Sequence, residues 1–379
     1  MSVTKAISEN ITSLDAAKLT GVLPAMSGAA LTGLPQPTKS ANDPTISTNP
    51  SGGVGTLWAN TTSGEMFACT DATAGANVWM NVGSGSGDVE PYSFQGTISG
   101  YTSGGYSTPT NLIDKFSFTA DGNATDVGDL TVSRGYAAGQ SSLTHGYSSG
   151  GYDGGPTYFN VIDKFSFTAD GNATDVGDLT VNRHTQAGQS SSAHGYTSGG
   201  STGSFSNVID KFSFTVDGNA TNVGDLTVSR DYLAGQSSTT HGYSSGGKTN
   251  SNVIDKFSFS VDGDATDHGD LSVARGYVSG QSSTTHGYTS GGYNGSPSNV
   301  VDKFTFASNS NATDVGDLTG VKAGSAGQSS TTHGYTSAGN AGAGSRLNVI
   351  DKFSFSVDSN ATDVGDLISG RTYSAGHQY

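Results

Sequence analysis

Paired carboxylates are the commonest equipment for cleaving glycosides, one acting as acid and the other as base or nucleophile. The chain holds three glutamates, Glu9, Glu65 and Glu90, and none follows residue 90. Beyond that point the aspartates recur in register, so no single asymmetric acid–base pair stands out. There is no nucleophile motif, no phosphate-cradling glycine loop and no clustered metal-ligand set. The expectation is a protein that is not an enzyme and needs no cofactor.

Two repeated sets carry metal-ligand chemistry. Histidine precedes glycine at His145, His194, His241, His286 and His333, and imidazoles around a common axis would suit a transition metal. The separation between units is too large for all five to share one ion. The favoured reading is a turn closed by a side-chain hydrogen bond. Asp121, Asn123, Asp126 and Asp129 have the spacing of calcium ligands, but Asp121-Gly122 favours a hairpin with Asx-turn bonding. No metal is expected at either set. The repeated Arg134, Arg183, Arg230, Arg275 and Arg371, with Lys322 once, read as architecture, pairing with acidic groups or carbonyls between units.

Aromatic side chains on loops supply contact area at low entropic cost and suit sugar faces and protein hot spots. The candidates for receptor binding are Tyr106, Tyr152, Tyr158, Phe159, Phe205 and Tyr293 in one set of connections. Tyr136, Tyr232 and Tyr277 stand in a second. The competing reading is that several of them only plug glycine-rich loops.

What positions these residues is a repeat. Asp-Lys-Phe begins at Asp114, Asp163, Asp210, Asp255, Asp302 and Asp351, at intervals of 49, 47, 45, 47 and 49 residues. Periods of this size signal a solenoid, propeller or array. Each unit divides into four short strands, exemplified by 187–191, 194–200, 207–214 and 220–228. The third alternates, with Val208, Phe212 and Phe214 on one face. The Asp-Gly after it is a hairpin signal. Four antiparallel strands per unit make a propeller blade. Loop length varies only between the second and third strands, at 5, 8, 6, 4, 6 and 8 residues. The fourth-to-first connection varies in sequence alone, from Gly135-Tyr136-Ala137 to Thr372-Tyr373-Ser374. In a meander both lie at one end, giving one variable face and one monotonous face, and variable loops on a rigid scaffold are where recognition resides.

The expected fold is all-β: a six-bladed β-propeller of four-stranded antiparallel blades over 89–379. Before it come an extended attachment segment (1–48) and a small β module with a Gly/Ser linker (49–88). Within that module 53–83 reads as a three-stranded sheet with Trp58, Phe67 and Trp79 as its apolar content. Ser93–Ser99 looks like a loose first strand and Tyr373–Tyr379 like a surplus one, so the C-terminus is expected to complete or reinforce the seam.

Composition bounds the partners. The formal charge is −15, with 56 Gly and 13% charged residues. With no basic stripe, nucleic acid is not expected as a partner. No 18-residue apolar run exists, so no membrane insertion is expected. The start, MSVTKAISEN, lacks the apolar core of a signal peptide. One cysteine, Cys69, rules out an intrachain disulfide.

The unit resembles a Kelch repeat: Gly199-Gly200 ends the second strand, the third is aromatic, and Arg230 follows the fourth. It departs at the fourth-strand tryptophan, where Ala220–Val223 stands instead. Thr215-Val216-Asp217-Gly218-Asn219-Ala220-Thr221 looks like a degenerate Asp-box of sialidase-type propellers. The N-terminal part resembles tail-fibre and other virion proteins of marine tailed phages through Leu14–Gly21, Ser27–Leu34 and Gly55–Glu65. These resemblances imply a virion fibre or decoration protein made in the host cytoplasm. Its N-terminal region would dock on other virion proteins as a homo-oligomer, a trimer. Its propeller would bind a host cell-surface glycan or protein without catalysis. The competing functions are a purely structural virion component and a propeller hydrolase of surface polysaccharide.

Overall fold

The computed structural model describes residues 37–82, 93–106, 110–248 and 251–379. The attachment-segment motifs Leu14–Gly21 and Ser27–Leu34 and the linker at 83–87 lie outside the described residues. The chain divides into two compact units, Met1–Pro91 and Tyr92–Tyr379. Both are built of strands, and no helix occurs among the described residues.

In the first unit the sheet has four strands rather than the expected three. Leu57–Asn60, Met66–Asp71 and Val78–Asn81 pair antiparallel, and Thr38–Ser40 adds a parallel edge, Thr38 opposite Trp58. A three-residue strand between prolines offers too little alternation to be read. Its segment is also tied down by side chains. Asn77 Nδ2 donates to the Ile46 carbonyl at 2.8 Å and Trp58 Nε1 donates to the Asn42 carbonyl at 3.0 Å. Phe67, Cys69 and Trp79 form the core, while Met66, Met80 and Val82 stay exposed.

The second unit is a propeller-like repeat of six four-stranded antiparallel sheets. Sheet 1 consists of Ala375–Gln378, Ser99–Gly105, Thr110–Ser117 and Thr125–Asp129. Sheet 2 takes Ala138–Ser141, His145–Tyr152, Tyr158–Ser166 and Thr174–Asp178. Sheets 3 to 6 follow the same order from inner strands Ala187–Ser190, Ala234–Ser237, Ser279–Ser282 and Ala326–Ser329. The inner strand of sheet 1 comes from the C-terminus, Ala375 opposite Ser103. Tyr373–Tyr379 is therefore not surplus. Ser93–Ser99 does not act as a first strand beside it. Instead the Gly96 N–H donates to Ser329, and the Thr97, Ile98 and Ser99 N–H groups converge on the Tyr379 carbonyl.

Inner strands contact one another in cyclic order, each with the sheets before and after it. Glycine makes this approach possible. A Cβ on Gly139 would stand 2.2 Å from the Gly376 carbonyl oxygen, and one on Gly188 the same distance from that of Gly139. The core lies between sheets, so both faces of each sheet are buried. Phe212 packs with Tyr147, Ile162 and Leu179 of sheet 2, whereas Ile209 faces Phe257 and Ala265 of sheet 4. The alternation of Val208, Phe212 and Phe214 captures one face only. Ile209 on the other is fully buried while Val208 is not, and a bulge between Ile209 and Asp210 shifts the register to the fourth strand.

Three cycles of contacts tie each sheet to the next. Six buried tyrosines, from Tyr101 to Tyr335, stack on phenylalanines of the following sheet, as Tyr101 does on Phe167 with centroids 4.9 Å apart. Gln140 Nε2 donates to Ser149 Oγ, the Tyr196 carbonyl and Thr197 Oγ1, a pattern repeated at Gln189, Gln236, Gln281 and Gln328. Arg134 pairs with Asp163 at 2.9 Å and Arg183 with Asp210 at 2.8 Å, all with fully buried side chains. Arg230–Asp255, Arg275–Asp302, Lys322–Asp351 and Arg371–Asp114 continue the cycle.

Candidate recognition face

The connection from each fourth strand to the next inner strand places one residue in the left-handed backbone region. These are Tyr136, Thr185, Tyr232, Tyr277, Gly324 and Tyr373, with φ between 58° and 65°. Their peptides form a cycle. The Tyr136 N–H donates to Tyr373, Thr185 to Tyr136, Tyr232 to Thr185, Tyr277 to Tyr232, Gly324 to Tyr277 and Tyr373 to Gly324, at 2.6–3.0 Å. A bulky residue at this φ costs about 1–3 kcal/mol and persists only where its surroundings enforce it, commonly at functional sites.

Four tyrosines therefore gather over the inner strands. Tyr136 stacks on Tyr373 with centroids 4.1 Å apart, and Tyr232 lies 3.8 Å from Tyr277. The pairs touch, Tyr136 to Tyr232 at 6.1 Å and Tyr277 to Tyr373 at 6.0 Å. Burial, reinforced by neighbouring tyrosines, pushes the Tyr136 and Tyr232 hydroxyls far above their ordinary pKa. Burial likewise raises Tyr373 to about 12. These hydroxyls stay protonated and act as neutral hydrogen-bonding groups.

A second tier comes from the connections after the second strands and, in sheet 2, from the strand ends themselves. There Tyr152 and Tyr158 pair within the sheet and do not lie in the expected loop. Tyr106 lies 5.0 Å from Tyr136 and stacks on Tyr152 at 6.1 Å. Tyr152 contacts Tyr158, which stacks on His184 at 4.5 Å. Tyr293 meets Tyr277 edge-on at 6.0 Å, and Lys248 Nζ sits 5.4 Å from the Tyr232 ring centroid. Thus Tyr106, Tyr136, Tyr152, Tyr158, Tyr232, Tyr277 and Tyr293 join one aromatic network. Phe159 is half-buried within a strand, paired with Gly151, and Phe205 is bridged to Ser201 across a short loop, 44% exposed. Sequence reasoning omitted Tyr373, although Thr372-Tyr373-Ser374 occupies the same register as the other connections. It also omitted His184 and Lys248.

The remaining chemistry-bearing sets are occupied by architecture. Thr144 Oγ1 bonds His145 Nδ1 at 2.8 Å, with the same contact at His241, His286 and His333; His194 follows Ala193 and lacks it. Asp121 pairs with Lys352, and Asn123 Oδ1 accepts the Asp366 N–H at 3.1 Å. No group of three or more metal-ligand side chains occurs among the described residues. Asp231, beside Tyr232, is the carboxyl that differs. Burial lifts its pKa to about 6, with Lys248 opposing the shift. No protein-family model and no curated protein matches the chain.

Proposed function

We propose that residues 89–379 form a six-bladed, Kelch-like β-propeller that binds a host cell-surface receptor, a glycan, through the tyrosine face and without catalysis. The cyclic order of inner-strand contacts supports six blades, as does the cycle of backbone bonds from Tyr136 to Tyr373. One observation carries the recognition reading: four tyrosines held at positive φ at one end of the repeat. Strain of this kind, repeated with the same residue at four of six equivalent positions, favours a functional reading.

Asp163, which accepts from Thr131 and from Arg134, is read as a structural anchor and not as an acid or base. In this reading residues 1–88 attach the chain to other virion proteins as a trimer. Exposed Met66, Met80 and Val82 on one sheet of that unit support such a contact.

The test uses the purified full chain in competition with intact particles for adsorption to host cells, with immunogold labelling to locate the protein. Saturable inhibition together with surface labelling is expected. Labelling without inhibition would make the protein a structural component of the particle.

A further inference from the structure

Beside the axial tyrosines lies a cavity of about 310 Å³. Its lining is Tyr277, Tyr293, Pro297, Ala323, Asn340, Gly342 and Tyr373. The unit beside it departs from the rest of the cycle. Between Tyr277 and Tyr373 the axial position is held by Gly324, the one glycine among the six. Ala323 and Asn340, joined by a backbone bridge, stand where Thr372 and Tyr106 are bridged at the next junction.

We propose that this cavity is a subsite for one neutral pyranose ring. The proposal rests on the glycan-binding reading and names the sugar class and the place. A volume near 300 Å³ is at the small end for ligand pockets. Three tyrosine rings and a proline offer flat apolar surface for the C–H face of a sugar. The tyrosine hydroxyls and the Asn340 amide offer donors and acceptors for its hydroxyls. No charged side chain lines the cavity. Arg346 lies on the same loop, its backbone bridged to Asn340, but is not among the lining residues. A carboxylate or phosphate buried here would be left without a countercharge, which is costly.

The experiment titrates the full chain by tyrosine fluorescence and saturation-transfer NMR. The probes are the methyl glycosides of glucose, galactose, mannose and N-acetylglucosamine. Glucuronic and N-acetylneuraminic acids form the acidic arm, and a neutral tyrosine-containing tripeptide the peptide arm. At least one neutral glycoside should bind, and the other arms should not. Two variants test the place. Tyr293→Ala removes one ring, 43% exposed, from the lining. Asn340→Asp keeps the oxygen that accepts the Gly342 N–H while removing the amide donor and adding charge. Each should weaken binding tenfold or more with melting unchanged within a few degrees.

Preference for an acidic sugar or the peptide, or neutral binding indifferent to both variants, would overturn the subsite. If cell adsorption depends on Tyr136 and Tyr232 while no neutral glycoside binds, the subsite falls and recognition by the face stands. If glycosides bind as described but adsorption ignores the axial tyrosines, the subsite stands and the receptor role falls.

Discussion

Arg371 places Nη2 3.0 Å from Asp114 Oδ2 and so joins the last connection of the chain to the third strand of the first sheet. It is the sixth member of a cycle, and the least complete. At the other junctions a hydroxyl also donates to the aspartate: Thr131, Thr180, Thr227, Ser272 and Thr319. Here Ile368 offers only its N–H, at 3.2 Å. Asp114 Oδ1 is left buried without a partner, and burial raises this carboxyl's pKa despite Arg371.

Replacing Ile368 with threonine should repair the junction. Hydrogen bonds to charged groups contribute about 1.5–3 kcal/mol, and Ile368 is 47% exposed, so little burial is lost. A net gain of about 1 kcal/mol, some 2 °C in melting temperature, is expected. The added hydroxyl stabilises the ionised carboxylate, so the gain should shrink as pH falls and Asp114 protonates. A lower melting temperature at neutral pH would contradict this account. The reverse change, Arg371→Ala, strands a buried charge and should cost about 3–5 kcal/mol. Lys211→Ala breaks an exposed pair with Asp262 and should cost no more than about 1 kcal/mol.

Removing residues 375–379 takes away the inner strand of sheet 1 and the carbonyl on which three N–H groups converge. It also exposes strand edges on both sides of the junction, an invitation to self-association. The melting temperature should fall by roughly 10 °C or more, with aggregation in light scattering. An unchanged melt would mean that the C-terminal strand is an accessory.

His377 makes this junction pH-sensitive. It stands where the other five sheets carry glutamine, fully buried, with Nε2 2.8 Å from Ser103 Oγ. Its Nδ1 faces the Gln140 carbonyl at 3.2 Å. A carbonyl only accepts, so Nδ1 carries the proton and Nε2 accepts from serine. Burial lowers the pKa from 6.5 to about 4. Between those values the unfolded chain binds a proton that the folded one refuses, so stability is complete above pH 6.5. It declines as pH falls, by roughly 3 kcal/mol once pH 4 is reached. His377→Gln restores the repeat's own residue and should remove that part of the acid sensitivity. Superimposable pH profiles for the two proteins would refute the assignment.

Much of this architecture was legible because the sequence repeats it. Six Asp-Lys-Phe triplets announce six sheets, and the invariant spacing announces which connections vary. What escaped depends on closure or on backbone state. That Arg183 would choose Asp210 requires knowing which sheets are neighbours across the core. The exposed-looking second face of the third strand is buried only because another sheet covers Ile209. Tyrosine at positive φ is disfavoured locally, so propensity gives no hint of it. The cavity beside Tyr277 and Tyr373 is lined by several connections at once, which no single repeat announces.

The recognition face can be separated from stability by using that backbone strain. In Tyr232→Gly and Tyr277→Gly, loss of a half-buried ring destabilises, while relief of the left-handed conformation offsets it by about 1 kcal/mol or more. The melting temperature should therefore change by only a few degrees. If these rings are anchors, their loss should weaken cell adsorption by 2 kcal/mol or more, about thirtyfold. Tyr158→Ala, which removes the partner stacked on His184, tests the outer tier in the same assay. A control pair at the opposite end, His241→Ala and Asn219→Ala, alters the monotonous turns and should leave adsorption intact. Loss of adsorption in the control pair but not in the tyrosine set would assign recognition to the other end. Indifference to both sets would leave the tyrosines as a plug and the repeat as a structural part of the particle.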